Sequence, residues 1–262
     1  MTGARMSTLA ALRNSLARIE SDAGIGAPDR VTLGHGLADA TLQGGLALGA
    51  VHEVFAEGRQ SAAATGFVAG LARRIMARRP LVWVRQDFSA LEAGALSMSG
   101  WSELGLDPRL VVSVHAPDVE ATLRIAADAL ACDALGAVVM EIWGEARQVD
   151  LVASRKLTLA ARASGVTALL LRPAAVPHPS TAETRWIVRA AHSPPDTVWQ
   201  SWGAPVLEAQ LVRNRHGPTG QWIMEWNCDE CQFSEPSTYS QPVAAAPADR
   251  QNPTFLQQRR AG

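Results

Sequence analysis

Short, almost continuous apolar runs alternate along this chain with stretches whose apolar residues recur every three or four positions. The runs Val51 to Phe55, Leu81 to Val84, Leu110 to Val114, Ala137 to Ile142 and Thr167 to Leu171 read as strands buried on both faces. Between the first two, Phe67, Leu71 and Ile75 repeat at helical spacing, and Arg73, Arg74, Arg78 and Arg79 collect at the helix end, where the dipole favours cations. Asp118 and Asp150 stand at N-cap positions ahead of the apolar stripes Val119, Leu123, Ala126, Leu130 and Val152, Leu159, and Gly165 closes the second helix. This alternation predicts an α/β fold: a mostly parallel sheet with helices on both faces. Ser180 and Glu183 have capping-box spacing and predict a further helix carrying Trp186, Ile187 and Ala190. From Leu211 to Asn227 the pattern is that of a hairpin: a strand bearing Arg213, Asn214 and Arg215, a turn at Gly217, Pro218 and Gly220, and a strand bearing Ile223 and Glu225.

The two ends differ from this middle. Leu9, Leu12, Leu16 and Ile19 form an amphipathic stripe too short to be a stable helix alone, so it must pack on the chain's own core or on a neighbour. From Ser234 onward Pro, Ala, Gln and Ser dominate and little can be buried, the composition of a disordered tail. Its last apolar pair, Phe255 and Leu256, is either a docking peptide or part of a frayed terminus. The organisation is therefore an N-terminal arm over 1–30, a core over 31–233 and a tail over 234–262.

Composition removes some function classes. With 47% hydrophobic residues in 262 positions the chain can bury one large core, and a formal charge of −1 lacks the basic excess of a protein built to grip nucleic acid. No apolar run reaches the length of a membrane span, and the first residues have no signal-peptide pattern, so cytoplasm is the expected compartment. Cys132, Cys228 and Cys231 make no disulfide framework. Cys228 and Cys231 are either two reduced thiols or half a zinc site with His216 and an unidentified fourth ligand; no metal is expected.

The candidate chemistry centres on Leu42 to Ala64, LQGGLALGAVHEVFAEGRQSAAA, a strand feeding what has the frame of a phosphate loop. Such a loop needs glycines so that backbone N–H groups can close on phosphates, a lysine for the β/γ-phosphates and a hydroxyl for magnesium. In register, Ala56 and Ser61 occupy the glycine slots, Ala62 the lysine slot and Ala63 the hydroxyl slot. The fourth strand ends in Glu141, where an aspartate would hold magnesium through water, and Asp87 is the only candidate base after the second strand. The loops Trp143 to Val149 and Arg172 to Pro179 lack the combination of basic groove and stacking aromatics that single-stranded DNA requires. No cofactor and no catalysis are expected, and Trp101, Trp143, Trp199 and Trp202 are candidates for partner contact.

The run LGHGLADATLQGGLALGAVHEVF from Leu33 resembles the RecA recombinase core, and RNRHGPTG from Arg213 resembles a hairpin that in RecA-like proteins lies near the subunit interface. Together with VVMEIWGE, PSTAETRW and the sequence down to CDECQFSEP, these segments resemble the ImuA family of bacterial damage-inducible mutagenesis cassettes. The resemblance implies a RecA-like, P-loop NTPase-type fold with a degenerate phosphate loop and a C-terminal hairpin. It further implies a non-catalytic adaptor in SOS-controlled translesion DNA synthesis. The implied partners are ImuB, an inactive relative of Y-family polymerases, and RecA, with an error-prone DNA polymerase III alpha-type subunit reached indirectly. Arg213, Arg215, Leu12, Leu16, Phe255 and Leu256 are the residues this view nominates for partner contact. The alternatives are a regulator of RecA filaments or of cell division in the manner of SulA, and a residual nucleotide-binding switch.

Overall fold

The computed structural model describes residues 28–194 and 203–236. Leu12, Leu16, Phe255, Leu256, Trp199 and Trp202 lie outside them. Nine strands form one sheet, and their order places the head of the third strand at its centre. After a small antiparallel ribbon of β1 (Arg30–Val31) and β2 (Leu46–Ala47), joined through helix α1 (Gly36–Thr41), the chain enters β3 (Val51–Ala56). It continues through α2 (Ser61–Met76), β4 (Leu81–Gln86), α3 (Asp87–Ala93), α4 (Met98–Glu103), β5 (Val111–Ala116), α5 (Val119–Leu130) and β6 (Ala137–Glu141). Helix α6 (Leu151–Ser164) and strands β7 (Thr167–Pro173), β8 (Thr184–Ala190), β9 (Val206–Asn214), β10 (Gly220–Asn227) and β11 (Gln232–Ser234) complete it. The sheet runs β11-β10-β9-β8-β3-β7-β6-β4-β5, parallel from β8 to β5 and antiparallel from β8 to β11. This is the RecA-like arrangement, with the predicted hairpin present as β9 and β10.

Because β3, β4, β6 and β7 are covered on both faces, alternate residues feed two cores. Phe67 and Leu71 of α2 pack with Trp83, Trp186, Trp226 and Phe233 on one side. Val84, Val138, Met140 and Leu170 pack under α5 and α6 on the other. The aspartate caps are formed as the spacing requires: the Ala121 N–H donates to Asp118 Oδ1 at 2.8 Å and the Ala153 N–H to Asp150 Oδ1 at 2.8 Å. Replacing Asp150 with alanine is expected to lower stability by about 1 kcal/mol in urea unfolding, through loss of this cap alone.

Several expectations fail. Val152 and Leu159, read as the apolar stripe of α6, are exposed on its outer face, and β5, read as buried on both faces, is a half-exposed edge strand, because no strand covers its far side. The segment after Ser180 is not a helix but β8, paired parallel to β3 and antiparallel to β9. Ser180 Oγ, instead of capping, accepts from Arg185 Nη2 at 2.9 Å, while Glu183 lies 3.3 Å from His216 Nε2. Trp101, expected near the surface, is buried and stacked on Trp83 with ring centroids 5.6 Å apart. Its indole therefore belongs to the core and not to a docking face.

Candidate functional site

At the carboxyl end of β3, buried Ala56 leads into Glu57, a single 3-10 turn over Gly58–Gln60 and the start of α2 at Ser61. The frame is that of a phosphate loop, but its backbone is not: none of residues 56–61 has a positive φ. Alternation between right- and left-handed residues is what turns successive N–H groups into an anion-binding concavity. The space above the turn is also occupied. A Cβ on Gly58 would lie 3.3 Å from the Trp143 indole and 3.4 Å from Ala174 Cβ, so both side chains rest on the loop. Ala62 is exposed in the first turn of α2, flanked by half-buried Ser61 and Ala63. The Glu57 carboxylate in this turn lies 3.0 Å from Arg59 and 3.5 Å from Arg189.

Glu141, at the metal-holding slot, is 1% exposed and already engaged. Arg85 Nε donates to its Oε1 at 3.0 Å and Trp83 Nε1 to its Oε2 at 3.1 Å. The parallel register of β4 and β6 sets Arg85 opposite Glu141, and the rest of the guanidinium reaches the carbonyls of Ser89 and Gly94. The carboxylate thus fastens α3 and its C-terminal turn to the sheet. Asp87, the candidate base, is the exposed first residue of α3, 3.5 Å from His115 Nδ1.

A second buried ion pair flanks β3 on its other side. Arg185 Nε donates to Glu53 Oε2 at 2.7 Å, and the Phe55 ring lies between the guanidinium groups of Arg185 and Arg172, 5.6 and 6.0 Å from its centroid. Burial disfavours the charge on Arg172, and the carboxylates of Glu145 and Glu53 oppose that shift. Its Nη2 donates to the Gly144 carbonyl at 2.7 Å. A cleft of about 390 Å³ opens beside this stack, lined by Phe55, Gly58, Val176 and Ile187 among others. The connector from His178 to Thr181 is held from three sides. Arg185 donates to the His178 carbonyl, Arg213 to the Ser180 carbonyl at 2.7 Å and Arg215 to the Thr181 carbonyl at 3.3 Å. Arg213, near the end of β9, and Arg215, just beyond it, both donate to this connector, and each keeps further N–H donors.

The neighbouring loop carries Glu145, whose hydrogen bonds from His178 at 2.7 Å and from the Val176 N–H hold its carboxyl below the usual range. Among the described residues no three His, Cys, Asp or Glu side chains converge as metal ligands would. Burial pushes the Cys228 thiol up. No helix among them is long and apolar enough to cross a membrane.

The sheet order and the helices on its two faces define a RecA-like α/β core. No family model matches the chain. It is 32% identical over 200 residues to Protein ImuA of Caulobacter vibrioides, in strain NA1000 / CB15N and equally in strain ATCC 19089 / CIP 103742 / CB 15. That similarity spans 70% of this chain and 77% of each relative, and the chain belongs to the ImuA family.

Proposed function

We propose that this protein is a non-enzymatic adaptor of damage-induced translesion DNA synthesis and mutagenesis, working through protein surfaces. It binds ImuB and RecA, and through ImuB reaches an error-prone polymerase. The observation that carries this reading is the state of Glu141: both oxygens are taken by Arg85 and Trp83, while Ala62 stands in the lysine slot. Four or so charge-assisted contacts, each contributing about 1.5 to 3 kcal/mol, hold a nucleotide's phosphates in an active loop. Here the lysine and the glycine turns are missing, so binding energy is left to packed surfaces.

Calorimetry of the full chain with ATP and magnesium is expected to give no saturable heat. Co-purification with ImuB and with RecA is expected to succeed for the unaltered chain and equally for Ala62→Lys. Saturable nucleotide binding, or DNA-stimulated hydrolysis above background, would overturn the reading. Paired substitutions Leu12→Asp with Leu16→Asp, and Phe255→Ala with Leu256→Ala, are each expected to weaken capture of one partner by about tenfold, because a few buried side chains carry most of an interface's binding energy. The arginine face of the hairpin is tested the same way by Arg213→Ala with Arg215→Ala.

A further inference from the structure

Helix α6 buries one face and leaves the other patterned. Leu157, Thr158 and Ala161 face the core, and Ser154 and Thr158 are tied to Thr181 Oγ1 at 3.0 and 2.7 Å. On the outer face Val152 is 61% exposed and Leu159 58%. Seven residues apart, they fall within about 20° of one another around the helix and form a central apolar stripe. Arg155 and Arg162, also seven apart, run along one flank, and Lys156 stands on the other. Exposed Ala163 lies next to Leu159 on the stripe. Among the described residues none of these three cations is in an ion pair. At the amino end of α6, about 100° around the helix from Val152, exposed Leu151 lines a cleft of about 620 Å³, with Val149 and Pro179 in its wall.

Two exposed apolar residues seven apart, with cations between and beside them, match a partner helix that supplies apolar residues at the same spacing and carboxylates beside them. We propose that the outer face of α6 is a docking surface for an acidic amphipathic helix of another protein. Charge excludes the simplest competitor, since a second copy of this face would set Arg155, Lys156 and Arg162 against their own kind. Nucleic acid would use the cations but would gain nothing from covering Val152 and Leu159. The acids near the cleft, Asp150 and Glu145, keep their charge but sit at the amino end of α6, engaged by the Ala153 N–H and by His178 and the Val176 N–H, with Arg162 about 18 Å further along the axis. The inference goes beyond the adaptor reading, which names partners but no face of α6. It rests on that reading only in supposing a protein ligand.

The test uses the full chain and a fluorescein-labelled synthetic helix of 21 residues, with leucine at the two apolar heptad positions and glutamate at the flanking ones. A second peptide differs only in carrying lysine for glutamate. Fluorescence anisotropy is expected to show the acidic peptide binding about tenfold or more tightly than the basic one. The double variant Arg155→Glu with Arg162→Glu should invert that preference, and Leu159→Asp should weaken both peptides while leaving the melting temperature unchanged. Equal binding of the two peptides, or binding indifferent to Leu159→Asp, would overturn the proposal. So would a single-stranded oligonucleotide that binds through the arginines without sensing Leu159, or a wild-type dimer in sedimentation that Leu159→Asp dissociates. Peptide binding reads α6 alone and co-purification with ImuB reads the whole assembly, so either can fail without the other.

Discussion

Glu141→Gln and Glu141→Ala are expected to destabilise the protein by about 3 to 5 kcal/mol, read as a lower urea midpoint at unchanged slope. Glu141 and Arg85 are both almost fully buried, with side chains 1% and 3% exposed. Removing the carboxylate leaves the guanidinium in the core with nothing to balance it, and the Trp83 N–H loses a charged acceptor. Typical domains have only about 5 to 15 kcal/mol in hand, so this is a large fraction of the whole. The opposite sign follows if Glu141 is an unpaired carboxylate kept for a metal, because removing such a group relieves a buried charge. The double variant Arg85→Met with Glu141→Leu separates the cases. Restoring apolar packing in place of both charges should recover about half of the loss or more, the remainder reflecting the α3 carbonyls that Arg85 holds. Full stability in the single variants would show that the pair contributes nothing and would reopen the metal reading. The same result has a practical consequence: a Glu141 substitution cannot serve as a clean test for hydrolysis, since loss of activity and loss of fold would coincide.

That ion pair marks the boundary of what the sequence could reveal. The strands β3, β4, β6 and β7 were legible because parallel strands buried on both faces leave continuous apolar runs. The aspartate caps were legible because capping is a local contact between a side chain and an N–H three residues on. Arg85 and Glu141 meet only because the chain order β4, β5, β6 becomes the sheet order β6, β4, β5, which no local pattern encodes. Strand β8 was missed for a different reason. Ser180 and Glu183 matched a helix start, and that match outweighed an alternation already present: Thr184, Trp186 and Val188 toward the α2 core, Arg185, Ile187 and Arg189 away from it. Glu53 and the Phe55 ring are what make Arg185 tolerable in that strand. In the loop, the slots Ala56, Ser61, Ala62 and Ala63 were visible from spacing alone, but the Trp143 indole lying on Gly58 was not.

The second large effect is a loss of stability between pH 6.5 and pH 4, owed to His52. This residue sits in β3 with no exposure, and burial pushes its imidazole down to about 4, the opposing hydrogen bond to Ala47 being the smaller influence. Its Nε2 lies 2.8 Å from the Ala47 carbonyl, which can only accept, so Nε2 carries the proton and Nδ1 is the acceptor. The Thr184 hydroxyl, 2.8 Å from Nδ1, donates to it and in turn accepts from Trp186 Nε1 at 3.0 Å. The chain from Trp186 through Thr184 and His52 to Ala47 is complete only with the neutral ring, and it joins β8 to β3 and to the turn before it. A second proton on Nδ1 would leave the Thr184 hydroxyl facing a donor. Because the folded value lies below the unfolded one, the native state binds fewer protons. Stability is therefore full above about pH 6.5, falls as the pH drops toward 4, and loses about 3 kcal/mol in all from this group. Carboxylates add their own losses mainly below pH 5, so the interval from 6.5 to 5 reports on histidines, and the difference between the unaltered protein and His52→Gln assigns this residue's share. Over that interval this group should lower the unfolding free energy by about 1 kcal/mol per pH unit on average, and His52→Gln, whose amide can donate to Ala47 and accept from Thr184, should flatten that slope. A slope in His52→Gln as steep as that of the unaltered protein, or an imidazole resonance titrating near pH 6.5 in the folded chain, would remove His52 as the cause.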